Sequence, residues 1–344
     1  MQFRNLGNTG LQVSALALGT WLNVGQRLDS AESLKLLSTA YDNGVNLFDT
    51  AENYGWGEAQ ISLGSAIRAL GWPRDTYIIS SKAFYGSRRD DRFHPTQRGL
   101  SRKHLVDSCN DALARLRLDY IDLYLCHAYD PRVDISEIVW TMHSLIMQGK
   151  ILHWGTSKWT AAQIQEARDI AFRNNLIAPV VEQPEYNLVA TEVVENDLAD
   201  LVDSCGIGLI SWSPLKQGIL AGRYGSGIAA GSRFSFSDIR TLKDQVPEAQ
   251  FDSWLDFARR MEKFSTQLGV STAQLAIAWC LKNRLLSSVL LGCSSASQLM
   301  ECLQAVSISS RMSSEIWLQL HELRRIEHGD AEAPISLEEQ RNVG

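Results

Sequence analysis

Along this chain the spacing of apolar residues switches repeatedly between two signatures. Short runs that are almost wholly apolar or β-branched recur at ALALG (15–19), NLFD (46–49), YIIS (77–80), IDLYLCH (121–127), ILHWGTS (151–157), PVVEQ (179–183), IGLISWS (207–213) and SSVLLG (287–292). Continuous runs of this kind belong to strands covered on both faces. Between them apolar residues recur at helical spacing: Leu34, Leu37 and Tyr41, then Leu63, Ile67 and Leu70, then Leu105, Cys109 and Leu116, then Ile164, Ala167 and Ala171. Ser30 reads as the cap of the first of these helices, Gly44 as its stop, and Ser101 as the start of the third. Further helices are expected over about 135–148, 191–204, 252–268, 271–283, 296–305 and 313–326. Ahead of the alternation, residues 2–14 read as a hairpin turning at Gly7-Asn8-Thr9-Gly10.

The count is about eight strand–helix units of roughly 25–40 residues, which fits an α/β fold closed as a (β/α)8 TIM barrel. The rhythm breaks at about 214–250, a Gly- and Ser-rich segment carrying Arg223, Arg233 and Arg240. It reads as a long loop after the seventh barrel strand. The competing fold, a doubly wound open sheet, commonly carries a glycine-rich phosphate loop after its first strand. Here that strand runs into Gly19-Thr20-Trp21, and Gly225-Ser-Gly227-Ile-Ala-Ala230 follows no strand directly, so it counts as a chance match. Residues 1–328 are expected to form a single barrel domain, with a polar tail over 329–344.

Bulk properties narrow the function classes. A net charge of −6 argues against a nucleic-acid partner. The N-terminal residues have no apolar core of a secretory signal, and no run approaches the roughly 18 apolar residues of a membrane span, so membrane insertion is not expected. Cys109, Cys126, Cys205, Cys280, Cys293 and Cys302 are scattered without metal-ligand spacing, which suits reduced thiols in the cytoplasm and gives no metal site.

In a barrel of this kind chemistry gathers at the C-terminal ends of the strands. Those ends carry Thr20-Trp21, Asp49 with Tyr54 in its loop, Lys82, His127, Ser157-Lys158, Glu182-Gln183, Trp212-Ser213 and Gly292-Cys293-Ser294. Asp49, Tyr54, Lys82 and His127 thus come from three consecutive strands toward one mouth. Each has an ordinary structural reading, such as a helix cap for Asp49 or a rim aromatic for Tyr54, but all of those would have to coincide. Together the four make a proton-delivery group. A phenol with an ordinary pKa near 10 is a poor acid at neutral pH. Lys82 beside Tyr54 is expected to favour phenolate and lower that pKa, and Asp49 to hold Lys82 charged. His127 can hydrogen-bond the oxygen that receives the proton. Such a group suits hydride delivery to a carbonyl carbon. Trp21, Trp56, Phe84, Tyr85 and Tyr129 make an aromatic rim that suits apolar or aromatic carbonyl substrates. The charged run with Arg88, Arg89, Asp90, Asp91 and Arg92 reads first as a solvated loop.

The same residues fall into motifs that resemble the aldo-keto reductases over about residues 2–327. They are LGNTGLQVSALALGT, NLFDTAENYG, RLRLDYIDLYLCH, GKILHWGTSKW, EQPEYN, WSPLKQGIL and SSVLLGCSSASQLMECL, in order. Gly99–His104, Gln274–Leu281 and Ser287–Gly292 are similar to the branch that holds the voltage-gated potassium-channel β-subunits. The resemblance implies NADPH or NADP+ across the barrel mouth and reduction of an aldehyde or ketone, with Tyr54 as general acid within the tetrad Asp49, Tyr54, Lys82 and His127. It assigns Ser157 and Gln183 to the nicotinamide carboxamide, with Lys158 and Asp49 beside the cofactor, and Trp212 to stacking on the ring. It assigns Ser213, Pro214, Leu215 and Gly218 to the pyrophosphate, and Arg223 and Arg233 to a covering loop. Gly292, Ser294, Gln298 and Glu301 go to the adenosine end, and Thr20 and Trp21 to the floor of the site. Gln298 stands where many relatives have arginine for the 2′-phosphate. The alternative implied by the branch is an NADPH-binding regulatory subunit of a membrane channel. His127 argues against it, because the channel subunits carry asparagine there and are slow catalysts. A small carbonyl compound is the expected partner, and a homo-oligomer is left open.

Overall fold

The structure, a computed structural model, describes residues 1–88, 94–222, 224 and 246–325. The charged residues Arg89, Asp90, Asp91 and Arg92, the segment holding Arg223, Arg233, Arg240 and the 225–230 glycine match, and the tail over 329–344 lie outside them. Strands β1 (Phe3–Asn5) and β2 (Gln12–Ser14) pair antiparallel as the expected hairpin, with Phe3 opposite Ser14. Its turn needs a glycine: Gly7 has φ +54°, and a Cβ there would lie 2.2 Å from the Gly206 carbonyl oxygen.

Eight strands follow: β3 (Leu16–Gly19), β4 (Leu47–Asp49), β5 (Ile78–Ala83), β6 (Ile121–Cys126), β7 (Ile151–Ser157), β8 (Val181–Gln183), β9 (Gly208–Ser211) and β10 (Leu286–Leu291). They pair parallel in chain order and close where β10 meets β3, which is the (β/α)8 barrel read from the sequence. The helices are α1 (Ser30–Asp42), α2 (Glu58–Leu70), α3 (Arg102–Leu116), α4 (Ile135–Met147), α5 (Ala161–Arg173), α6 (Ala199–Cys205), α7 (Glu248–Gln267), α8 (Thr272–Lys282), α9 (Ala296–Leu303), α10 (Ala305–Arg311) and α11 (Ser314–Arg325). Contacts divide the chain into two compact units. The first, residues 1–185, 192–212 and 284–303, holds the hairpin, the whole barrel, α1 to α6 and α9. The second, residues 186–191, 213–283 and from 304 onward, holds α7, α8, α10 and α11.

Three local readings need correction. The cap of α1 is Asp29, not Ser30: Asp29 accepts the Glu32 N–H while the Glu32 carboxylate accepts the Asp29 N–H, a capping box one residue earlier. The helix expected over 191–204 opens with a wider π-type turn, Val193–Asp197, before α6 begins. The helix expected over 296–305 stops at Leu303, and α10 starts as a separate helix. No glycine or proline marks that break, so the residue pattern runs through it.

Strand parity positions the site. Ala17, Leu47, Ile78, Leu123, Leu125, Val181, Ile210 and Leu290 form one buried cluster, joined by Leu6 and Val13 of the hairpin. Each Leu, Ile or Val side chain among them contributes about 1.5–3 kcal/mol through burial. Tyr124, between Leu123 and Leu125, faces the other way and donates its hydroxyl to the Leu105 carbonyl of α3. Side chains alternate along a strand, so residues two or four positions past a cluster member share its inward face. That puts Asp49, Lys82, His127, Gln183 and Trp212 on the inner face, above the apolar plug. Among the described residues no helix is long and apolar enough to cross a membrane.

Candidate active site

The centre of the mouth is a buried ion pair. Lys82 Nζ donates to Asp49 Oδ2 at 2.6 Å, to the Thr50 carbonyl at 2.9 Å and to Tyr54 Oη at 3.3 Å. Lys82 is 0% exposed and Asp49 3%. A buried ammonium is tolerable only when its donors are used in this way. The second oxygen of Asp49, Oδ1, accepts from Gln183 Nε2 at 3.0 Å, tying β4 to β8 across the barrel. Thr20 donates both its N–H and its hydroxyl to the Asp49 carbonyl, at 2.9 and 3.1 Å. Asp49, Tyr54, Lys82 and Gln183 are therefore brought together.

Tyr54 begins a tight turn, Tyr54–Gly57, in which Gly55, Trp56 and Gly57 all have positive φ. For Trp56 a left-handed conformation costs about 1–2 kcal/mol, and the indole is left 45% exposed. His127 follows β6, with its ring edge-on to Tyr54 at 5.7 Å and to Tyr85 at 5.0 Å between centroids. It is buried, and among the described residues its Nδ1 has no hydrogen-bond partner. Such an orphaned polar atom is uncommon in a native interior.

The electrostatics overturn one sequence expectation. Tyr54 does not have a lowered pKa. Burial first, then the charge of Asp49 and the neighbouring Tyr85, raise it well above 10. Lys82 goes down, because burial outweighs the raising effect of Asp49. His127 is held well below the usual imidazole range by burial and by the charges of Lys82 and Lys158, so its ring is neutral at physiological pH. The reason is the depth of the site: desolvation is the largest effect on the phenol, and the charge of Asp49 adds to it.

On the opposite wall Ser157 donates its hydroxyl to the Gln183 carbonyl at 2.8 Å, and Trp212 Nε1 donates to the same oxygen at 3.2 Å. Lys158 is exposed, with φ +61°, and its Nζ lies 5.4 Å from the Trp212 ring and 5.8 Å from the Tyr85 ring. Phe84 stacks edge-on to Tyr85, while Tyr129 packs edge-on to the buried Trp159. Trp21 is half-buried. Beyond β10, Ser294 donates its N–H and its hydroxyl to Gln298 Oε1 at 3.1 and 2.8 Å, and Asn23 donates to the Cys293 carbonyl at 2.7 Å. Gly292 and Glu301 flank this corner in sequence.

Ser213, Pro214, Leu215 and Gly218 belong to the second unit. There Ser213, Lys216, Gln217 and Gly218 all have positive φ, and the Gly218 N–H donates to the Leu215 carbonyl at 2.8 Å. Lys216 Nζ lies 4.5 Å from the Trp254 ring. Arg223 and Arg233 are outside the described residues.

Sequence reasoning missed a second layer. Glu52, 1% exposed, uses Oε1 to accept from the Phe84 N–H at 2.6 Å, the Gly86 N–H at 2.8 Å and His104 Nε2 at 3.1 Å. Gln60 of α2 donates to Ser81 Oγ at 2.9 Å, and Arg115 of α3 donates to Gln60 Oε1 at 3.1 Å and Ser87 Oγ at 2.8 Å. The available signal was polarity on a buried helix face: Gln60 and His104 sit among apolar neighbours. Glu182 was read only as a strand end. It faces outward from β8, accepts from the Thr156 hydroxyl, and burial pushes its carboxyl up to about 8. Among the described residues no group of three or more His, Cys, Asp or Glu side chains could hold a metal ion.

A nicotinamide cofactor fits the first unit's donor set. It offers an amide and a hydroxyl on β8 and β7, an indole on β9, and a polar corner at Ser294 and Gln298. The class follows from sequence as well: residues 15–325 match the Aldo/keto reductase family, and the chain belongs to it. The family is one of oxidoreductases that generally bind nicotinamide cofactors and act on carbonyl compounds. Within it the chain is similar to the "Putative voltage-gated potassium channel subunit beta" of Schizosaccharomyces pombe (strain 972 / ATCC 24843), 41% identical over 322 residues, 93% of this chain and 92% of that protein.

Proposed function

We propose that this protein reduces an aldehyde or ketone to an alcohol at the barrel mouth, using NADPH. The observation that carries the reading is the buried junction at Lys82, whose Nζ reaches both Asp49 and the Tyr54 hydroxyl beside a neutral His127 whose Nδ1 has no hydrogen-bond partner among the described residues. When bound, the dinucleotide supplies the hydride. Tyr54 supplies the proton to the carbonyl oxygen. A phenol with a raised pKa stays protonated at every physiological pH, so it is always loaded, and its difficulty is giving the proton up. Lys82 eases that step by stabilising negative charge as it appears on the phenol oxygen. Asp49 holds the ammonium in place, and Gln183 holds Asp49. His127, neutral, hydrogen-bonds the substrate oxygen through a ring nitrogen and adds no competing charge.

Ser157 and Gln183 would hold the carboxamide of the cofactor, Trp212 its ring, and Ser294 with Gln298 its adenosine end. Tyr85, Phe84 and Trp56 would form the substrate wall. A reducing compartment such as the cytoplasm suits six cysteines that form no disulfide.

The relative's name supports a second reading, an NADPH-binding subunit of a voltage-gated potassium channel with little turnover. The two separate in one assay. NADPH oxidation is followed against a panel of aldehydes, ketones and keto-sugars, with and without Tyr54→Phe. Saturable turnover that the variant abolishes, with NADPH binding kept, supports the reductase. Tight NADPH binding with no turnover on any carbonyl, and a complex with a co-expressed channel, would favour the subunit.

A further inference from the structure

We propose that Glu52 is a positioning residue that fixes the strand end bearing Lys82 and the adjoining Tyr85 wall, with His104 as its support. Glu52 lies between Asp49 and Tyr54 in sequence, yet its hydrogen bonds go to the end of β5, to the turn just beyond it and to His104 of α3. Its N–H donates to the Lys82 carbonyl at 3.1 Å. Its carboxylate collects the N–H groups of Phe84 and Gly86. One residue therefore grips the backbone at three points over five positions, from Lys82 to Gly86.

Lys82 and Ala83 are also paired with Leu125 and Cys126 of β6, and the His127 N–H donates to the Ala83 carbonyl at 3.0 Å, so it is the turn beyond Ala83 that leans on Glu52. Gly86 has φ +80°, and a Cβ on it would lie 2.5 Å from the Gln97 carbonyl oxygen. Gly99 donates to the Phe84 carbonyl at 2.7 Å. The turn is thus squeezed between Glu52 on one side and 97–99 on the other. Tyr85 sits between the two amides that Glu52 holds, and its ring lies against His127 and under Lys158. A shift of these amides moves Tyr85, while the Glu52 N–H separately holds the Lys82 carbonyl at the end of the strand that carries the ammonium.

The carboxylate is suited to the task. Burial alone would raise its pKa, but His104 first, then Ser108 and the Phe84 N–H, outweigh this and the net direction is down. It is therefore ionised at neutral pH, and charge-assisted bonds to backbone N–H groups are about twice as strong as neutral ones. His104, nearly buried at the start of α3, has its own N–H held by the Ser101 cap. It anchors the carboxylate to a helix rather than to a loop. Nothing in this arrangement touches the reacting atoms.

The kinetic arm of the test rests on the carbonyl-reductase reading; the exchange arm does not. Glu52→Gln keeps an oxygen for the two amides, Glu52→Ala removes it, and His104→Gln keeps a donor to the carboxylate. Hydrogen–deuterium exchange is measured at the Phe84 and Gly86 amides, with NADPH affinity by fluorescence and kcat and KM on a reducible aldehyde. Glu52→Ala should lose protection at both amides at least tenfold. Its kcat should fall about tenfold to a hundredfold, the scale of a misplacement of about 1 Å, with NADPH affinity unchanged. Glu52→Gln and His104→Gln should retain most of both. Protection unchanged in Glu52→Ala overturns the proposal. So does Glu52→Gln losing kcat as fully as Glu52→Ala while keeping protection, because that would assign the role to charge and not to position. If Glu52→Ala does not fold, the exchange and kcat values of Glu52→Gln and His104→Gln decide on the same criteria. If the wild type reduces no carbonyl, the functional reading fails while the exchange result still decides the positioning role.

Discussion

The two ends of the barrel each carry an ion pair, buried at the mouth and part-buried at the other end, and the pairs are built differently. At the N-terminal end Arg74, in the turn before β5, bonds Asp122 of β6 and also the Tyr77 and Tyr120 carbonyls, while Asp122 accepts the Ile79 N–H. Its guanidinium lies over the Tyr77 and Tyr120 rings, at 4.9 and 4.0 Å. Everything this pair touches is scaffold: backbone groups and ring faces of neighbouring strand ends. At the mouth the Asp49–Lys82 pair uses one bond on the Thr50 carbonyl and the rest on a tyrosine hydroxyl and a glutamine amide, beside an imidazole Nδ1 that has no hydrogen-bond partner among the described residues. Both pairs are costly to bury. One is committed to the backbone, and the other is aimed at groups free to do chemistry.

The largest expected difference between the ends is therefore in activity. Tyr54→Phe removes one oxygen at the mouth. It should lower carbonyl reduction about a hundredfold to ten-thousandfold, the usual worth of a general acid. NADPH affinity should stay within about twofold, which fluorescence titration reads. A variant that turns over normally would end the assignment of Tyr54. Next in size is a paired comparison in which Lys82→Met and Arg74→Met each leave a buried carboxylate alone. Lys82→Met should cost about 3–5 kcal/mol by urea unfolding and abolish turnover. Arg74 is partly exposed, with 24% of its side chain accessible, so Arg74→Met should cost about 1–3 kcal/mol and leave the activity per folded molecule unchanged. Comparable activity loss in the two would mean that the ends are not functionally distinct.

The sequence carried the mouth more clearly than the bottom because strand periodicity makes a definite statement about side-chain direction. Asp49, Lys82, His127 and Gln183 lie two or four residues past apolar core positions, so a reader of the pattern alone puts them inward. Asp122 lies inside IDLYLCH and Arg74 in an aperiodic turn, and nothing in either stretch announces that they meet. Glu52 was hidden for a similar reason: its partners Phe84, Gly86 and His104 are 32 to 52 positions away, and two of them act through backbone N–H groups that no sequence pattern marks. The direction of the Tyr54 shift was also out of reach. Adjacency of a lysine was legible, but burial deep enough to overrule it is a property of the closed barrel.

That shift gives a milder test of the mouth. Tyr54 stays protonated well past pH 10, and His127 stays neutral well below pH 6.5. Neither should titrate between about pH 7 and 9, so kcat for reduction is expected to vary by less than about threefold there. For stability the sign is separate. A histidine whose folded pKa is depressed makes the unfolded state the better proton acceptor below the unfolded value. His127 therefore destabilises the fold progressively as pH falls below about 6.5. His127→Gln should flatten that acid-side slope. Selective carbon-13 labelling of tyrosine ring carbons reads Tyr54 directly, and a titration near pH 7 in the free protein would contradict the burial argument.

The smallest effect concerns Glu182, the carboxyl that faces outward from β8 and belongs to neither end. Burial raises it to about 8, while the Thr156 hydroxyl, the Lys158 and Trp159 N–H groups and the charge of Lys158 pull it only partly back. An acid whose folded pKa exceeds its unfolded one binds more protons when folded. Its contribution is fully present below the unfolded value of 4.5 and is lost as pH rises toward 8, after which it is flat. Glu182→Gln copies the protonated form, keeping the acceptor for the Thr156 hydroxyl. It should match the wild type near pH 5 and exceed it in unfolding free energy by about 1 kcal/mol or more above pH 8, with kcat little changed. Equal denaturation curves at pH 5 and pH 8.5 for both proteins would mean that Glu182 is ionised throughout. The outward face of the barrel would then stabilise a buried charge as well as the mouth does, and the contrast between committed and available charge would rest on the two ends alone.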